Sequence, residues 1–180
     1  MNKTKIIGAI LLTMGMTGSV AAANGFYAGA SIGKSSVDLC GDFFGITCDD
    51  EDTGWKIFGG YNLSRNLGFE ASWADLGEVS VSGGGVWATA ESDAIAFSVK
   101  GMLPLNEQFG VFGKIGLAFW DYEEDSNLFG PWSDDGTGLM FGIGAEYAFS
   151  NQFGVRGEWE RFDIEDEDVD LLSIGAVIKF

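Results

Sequence analysis

From residue 26 onward, apolar residues recur at every second position in eight separate segments. Strict alternation places them all on one face of an extended strand, because successive Cβ atoms point to opposite sides. The segments are residues 26–33, 54–61, 67–73, 95–103, 109–120, 139–149, 153–159 and 171–180. In the first, Phe26, Ala28, Ala30 and Ile32 oppose Tyr27, Gly29, Ser31 and Gly33. In the last, Leu172, Ile174, Ala176, Ile178 and Phe180 oppose Ser173, Gly175 and Lys179. The apolar face is continuous in every segment, whereas the other face carries Gly, Ser and isolated charges. With 28 glycines, two prolines and no helical period, the pattern predicts an all-β chain.

Such a pattern has two readings. A water-soluble barrel turns the apolar face inward, and a membrane barrel turns it outward to lipid. Two features favour the membrane. Lys3 and Lys5 precede an uncharged apolar run over residues 6–16 and the small residues Ala21, Ala22 and Ala23, the signature of a cleaved secretory signal covering residues 1–23. That run is too short for a membrane helix, which needs about 20 residues. Aromatic residues also gather near the segment ends (Phe26, Tyr61, Trp73, Phe109, Phe119, Tyr147, Phe149, Trp159), as expected of interfacial girdles.

Connections alternate in length. Residues 62–66, 104–108 and 150–152 are tight, and residues 35–53, 75–93, 121–136 and 160–170 are long. Outer-membrane barrels combine short periplasmic turns with long exterior loops. The expected fold is therefore an eight-stranded antiparallel transmembrane β-barrel over residues 24–180, in the outer membrane of a Gram-negative cell, with both termini periplasmic. Closure is required because an unpaired edge in hydrocarbon leaves backbone groups unsatisfied at several kcal/mol each.

Charge sharpens the picture. The chain has 27 Asp and Glu against 10 Lys and Arg, a formal charge of −17, which excludes a nucleic-acid partner. All the acids except Glu70, Glu107, Glu146 and Glu158 fall in the four long connections. Clusters at residues 49–52 and 165–168 offer oxygen ligands to divalent cations. The plainer reading is a solvated surface, or one bridged through cations to lipopolysaccharide. Cys40 and Cys48 lie close together and are expected to form a disulfide in an exported protein. A thiol metal site lacks further ligands, since the chain has no histidine. Histidine's absence also removes the usual base for a serine nucleophile, so no enzyme activity and no cofactor are expected.

The remaining charges, Lys56, Glu70, Lys100, Lys114, Glu146, Arg156 and Glu158, fall on the face opposite the apolar one. An eight-stranded lumen is only wide enough for side chains to fill, so these groups must pair there.

Several stretches resemble the transmembrane domain of the OmpA family over residues 25–180. They are Phe26-Tyr27-x-Gly-Ala, Phe58-Gly-Gly-Tyr61 through Gly68-Phe-Glu70, Lys100 four residues before Pro104, Gly144-Ala-Glu-Tyr-Ala148, and Arg156-Gly-Glu158 with Trp159. The resemblance implies an interior salt-bridge cluster of Glu70, Lys100, Glu146 and Arg156, a group proposed in that family to gate a narrow ion path. On that model Arg156 exchanges carboxylates between Glu70 and Glu146, giving a weakly cation-preferring pore; the alternative is a static plug. The C-terminal Phe180, with Ile178 and Ile174, resembles the signal read by the barrel-assembly machinery. The resemblance covers the barrel alone, so cell-wall anchoring by a peptidoglycan-binding domain is not expected from it. The function expected is a structural or surface role with at most that narrow pore; adhesion or receptor function through the acidic loops is the competing reading, and an outer-membrane barrel enzyme the more remote one.

Overall fold

A computed structural model describes residues 25–37, 47–49, 51–83, 86–126, 132–164 and 167–180. The predicted secretory signal and Cys40 lie outside the described residues, as does the side chain of Cys48, and the expected disulfide with them.

The strands are β1 (Gly25–Val37), β2 (Thr47–Asp49), β3 (Glu51–Asn62), β4 (Leu67–Gly83), β5 (Val86–Pro104), β6 (Phe109–Ser126), β7 (Trp132–Ala148), β8 (Phe153–Ile164) and β9 (Glu167–Lys179). Each barrel strand pairs antiparallel with its sequence neighbour, and β9 pairs back to β1 from Tyr27↔Lys179 to Val37↔Val169. β1 and β3–β9 thus close an eight-stranded barrel, with β2 added to the outer end of β4 at Cys48↔Val81.

The apolar face is the outer one. Phe26, Ile32, Ile57, Phe69, Phe97, Ile115, Leu139, Ile143, Leu172 and Ile174 are exposed, while Tyr27, Phe58, Ala96, Phe112, Ala118, Met140 and Val177 are buried in the lumen. Along β5 the outward apolar run covers residues 95–103, and nine residues tilted about 40° rise roughly 23 Å, the height of a barrel's lipid band. Ring pairs brace this band, Trp55 against Trp73 and Phe141 against Trp159 towards one end, Phe26 against Tyr61 and Tyr147 against Phe149 at the other. Ile174, Ile178 and Phe180 face outward among them.

The three tight connections share one design. Ser64 Oγ accepts from the N–H groups of Asn66 and Leu67, Asn106 Oδ1 from Gln108 and Phe109, and Ser150 Oγ from Gln152 and Phe153. In each, the last turn residue then accepts from the strand two further on: Asn66 O from Met102, Gln108 O from Ala148, Gln152 O from Lys179. A side chain that imitates the backbone turn sets its shape, and the extra bond ties it to the wall.

At the other end, strand pairing continues well past the lipid band. β4 and β5 remain paired to Gly83↔Val86, β6 and β7 to Glu124↔Trp132, and β8 and β9 to Ile164↔Glu167. Much of the predicted long connections is therefore hairpin, since a strand leaving hydrocarbon keeps its hydrogen bonds whatever its side chains. One bulge interrupts β4 between Asp75 and Glu78, at Gly77 with φ +82°, where Asp75 Oδ1 accepts from the Gly77 N–H at 3.0 Å.

Candidate functional site

The inward face of the barrel has a charged zone and an apolar one. Towards the tight turns, charged side chains are interleaved with Tyr27, Phe58, Phe112 and Val177. Towards the hairpins sits an apolar cluster of Ala74, Leu76, Ala94, Ala96, Ala118, Trp120, Met140, Phe162, Ile164, Val169 and Leu171, contributed by β4 to β9.

All seven sequence-predicted interior charges converge in the charged zone: Lys56, Glu70, Lys100, Lys114, Glu146, Arg156 and Glu158 are buried there. An eighth joins them. Glu160, assigned from its acid-rich neighbourhood to a long connection, is 0 % exposed and pairs with both Lys56 and Lys114. The signal lay in its parity, since Arg156, Glu158 and Glu160 alternate on one face of β8. With Glu160 the buried acids and bases among the described residues balance, so each of these buried charges has a counterpart, and an uncompensated one would cost several kcal/mol.

Arg156 is the hub. Its Nη1 donates to Glu70 Oε2 at 2.7 Å, while Nη2 and Nε donate to Glu146 Oε1 at 2.7 and 3.2 Å. It holds both carboxylates of the exchange model at once. Three rings surround its guanidinium, with Cζ 4.1 Å from the Phe58 centroid, 4.9 Å from Phe112 and 5.5 Å from Tyr27. Each such contact contributes on the order of 0.5–2 kcal/mol when desolvated.

A second centre is Lys114, whose Nζ lies 2.8 Å from Glu70 and 2.7 Å from both Glu158 and Glu160. Lys56 meets Glu158 at 2.5 Å as well as Glu160. Lys100 and Lys114 are directly opposed across β5 and β6, an unfavourable pairing for like charges. The network separates them: Lys100 turns to Glu146 at 3.2 Å and lies 4.0 Å from the Tyr27 ring, and Lys114 turns to the three other acids. Tyr27 donates its hydroxyl proton to Glu70 at 2.8 Å, and Lys179, 38 % exposed at the turn end, reaches Glu146 at 3.4 Å.

Outside the lumen, Asp75, Asp93, Asp121 and Asp135 are register partners across β4 to β7, and Glu78, Glu91 and Glu123 form a second row. Both rows lie just beyond the lipid band. Trp55 Nε1 donates to Asp75 at 3.1 Å. On the other side, Arg161 holds Asp170 through two bonds of 2.6 and 2.7 Å and Asp168 at 3.1 Å. Of the clusters considered for divalent cations, Asp50, Glu165 and Asp166 lie outside the described residues. Among the described residues no group of three or more His, Cys, Asp or Glu is placed to hold a metal.

The comparisons with known proteins agree with the barrel fold. A model of the outer membrane protein β-barrel domain matches residues 7–180. Outer membrane protein A of Escherichia coli O157:H7 is 27 % identical over 192 residues, covering 100 % of this chain and 55 % of the relative. That of Salmonella typhi is 29 % identical over 196 residues, covering 100 % and 56 %. The chain thus spans about half the length of the curated relatives it matches. Among solved structures, the N-terminal β-barrel domain of Pseudomonas aeruginosa OprF has a TM-score of 0.62 at 13 % identity, covering 87 % of this chain and 98 % of that one. Ail, the attachment invasion locus protein of Yersinia pestis, has a TM-score of 0.59 at 15 % identity, covering 87 % and 97 %. The chain belongs to the outer membrane protein β-barrel family, as an OmpA-like barrel of the outer membrane.

Proposed function

We propose that this protein is a sealed structural barrel that presents its acidic hairpins at the cell surface, without enzymatic activity and without a conducting lumen at rest. The observation that carries the reading is the simultaneous grip of Arg156 on Glu70 and Glu146, each at 2.7 Å. A gate that worked by partner exchange would leave one carboxylate free in each state; here both are occupied, and Lys114 and Lys100 back them up. The apolar layer from Ala74 to Leu171 adds a second barrier between the charges and the hairpins. Planar-bilayer recording of the refolded protein tests the reading. A silent membrane at moderate voltage is expected, and discrete steps from the unmodified protein overturn it.

The paired strands beyond the lipid band favour a second role in surface interaction. Ail has been crystallised with the heparin analogue sucrose octasulfate. The acidic rows on β4 to β7 would repel such a polyanion, so a basic partner, or a divalent cation bridging to lipopolysaccharide phosphates, suits this chain better. Binding of whole cells to sulfated and to amine-bearing surfaces at low salt discriminates the two; a preference for the sulfated surface contradicts this role.

The C-terminal Ile174, Ile178 and Phe180 are proposed to serve recognition by the barrel-assembly machinery. Their outward exposure at the end of β9 supports that role.

A further inference from the structure

Beyond the lipid band one strand edge is open. β7 pairs with β6 from Glu124↔Trp132 to Phe109↔Tyr147, but with β8 only from Met140↔Phe162 to Ala148↔Gly154. Among the described residues, no strand pairs with residues 132–137 on the side away from β6. In an antiparallel ladder each residue directs its N–H and C=O to the same neighbour, and successive residues alternate. The parity is fixed at the turn end of β7, where the Ala148 N–H donates to Gln108 O beside β6 and the Phe149 N–H to Phe153 O across the turn to β8. The register with β6 runs unbroken from there, so Ser133, Asp135 and Thr137 present their backbone donors and acceptors at the open edge. In keeping with this, the Asp135 N–H takes its neighbour's side chain, Asp134 Oδ1, at 2.9 Å. The edge is also marked by charge. The aspartate row that crosses β4, β5 and β6 ends on Asp135, and the glutamate row ends on Glu123 opposite Ser133. The other face of the edge is aromatic: Trp132 is 52 % exposed, and its ring lies 6.3 Å from that of Tyr122.

We infer that the β7 edge over residues 132–137 takes up an extended peptide as an added strand, one that alternates basic with apolar side chains. Its basic side chains continue the two acid rows on the outer face, and its apolar ones lie on the face of Trp132. Backbone hydrogen bonds to residues 133, 135 and 137 hold the peptide whatever its sequence, and the alternation selects it. The same acids select against a second copy of this chain, because edge-to-edge pairing sets one acidic edge against another. The inference rests on the surface role proposed above and specifies how the basic partner is held.

Amide hydrogen exchange of the ¹⁵N-labelled, refolded protein in nanodiscs of zwitterionic lipid tests it, with an acetylated heptapeptide of alternating lysine and valine as the probe. At low salt, saturating peptide is expected to slow exchange at residues 133, 135 and 137 by about tenfold or more, and to leave residues 134 and 136, already bonded to β6, unchanged. A peptide of the same composition with its lysines in one block, and the alternating peptide N-methylated throughout, should each bind at least about tenfold more weakly. Equal binding of the alternating and block peptides without that protection overturns the inference and leaves the surface role standing; binding of neither overturns both. Asp135→Lys should weaken the alternating peptide as well, and an unchanged affinity overturns the choice of a basic partner. The exchange pattern of the unmodified protein decides the site even if that variant fails to fold.

Discussion

At the periplasmic end three turns repeat one construction, each a Ser or Asn side chain accepting two backbone N–H groups and a carbonyl tied to the strand two further on. The extracellular end is different. Strand pairs run on past the lipid band and set aspartate beside aspartate across β4 to β7, with a row of glutamates beyond. Like charges opposed across a sheet cost a few tenths of a kcal/mol per pair in water. In the lumen a single unpaired charge costs several. The difference lies in the dielectric: acids are tolerated in rows where water and salt screen them, and only in balanced pairs where they are buried.

The same chemical change should therefore have opposite effects in the two places, and this can be measured by urea unfolding of the protein in lipid vesicles, followed by tryptophan fluorescence. The largest effect is expected from Arg156→Leu, which removes the cation shared by Glu70 and Glu146, leaves the first to Lys114 and the second to Lys100 and Lys179, and unbalances the buried charge; it should destabilise the barrel by about 3–5 kcal/mol. A loss under 1 kcal/mol would mean that the network is wet. Glu160→Gln, which removes one of the acids shared by Lys56 and Lys114, should cost about 1.5–3 kcal/mol. If it behaves as a surface substitution, its place in the lumen is wrong. In the periplasmic turns, Ser64→Ala, Asn106→Ala and Ser150→Ala should each cost about 1 kcal/mol, by analogy with the loss of a capping side chain. The three should add, because the turns share no partner. At the far end Glu123→Gln should stabilise by a few tenths of a kcal/mol at low salt, with the gain vanishing by about 1 M salt. A destabilisation there would remove the contrast between the two ends.

The faces of the strands were legible because alternation survives every departure from average composition: Phe97, Val99 and Ile115 turn out, and Ser98, Lys100 and Lys114 turn in. The seven interior charges followed from the same parity. Glu160 did not, because its acid-rich neighbours suggested a loop, and parity along β8 was the stronger signal. The ends of the hairpins were not legible either. Outside hydrocarbon a strand needs no apolar face, so the period that marks it fades while its backbone pairing persists. Pairings inside the lumen, such as Lys56 with Glu158 at a separation of 102 residues, depend on the stagger of the closed barrel, which no local pattern records. The shared turn design was present in the sequence as an apolar residue, then Ser or Asn, any residue, Asn or Gln, and an apolar residue, at 63–67, 105–109 and 149–153.

The proposal that the lumen is closed at two independent levels is tested most directly by single-channel recording of four proteins under one condition. They are the unmodified barrel, Arg156→Ala, the apolar-layer variant Trp120→Ala with Phe162→Ala, and the combination of all three substitutions. Conductance is expected only from the combination, because each single opening leaves the other barrier in place. Stepwise current from the unmodified protein that changes with Arg156→Ala alone would contradict the account and restore the exchange gate.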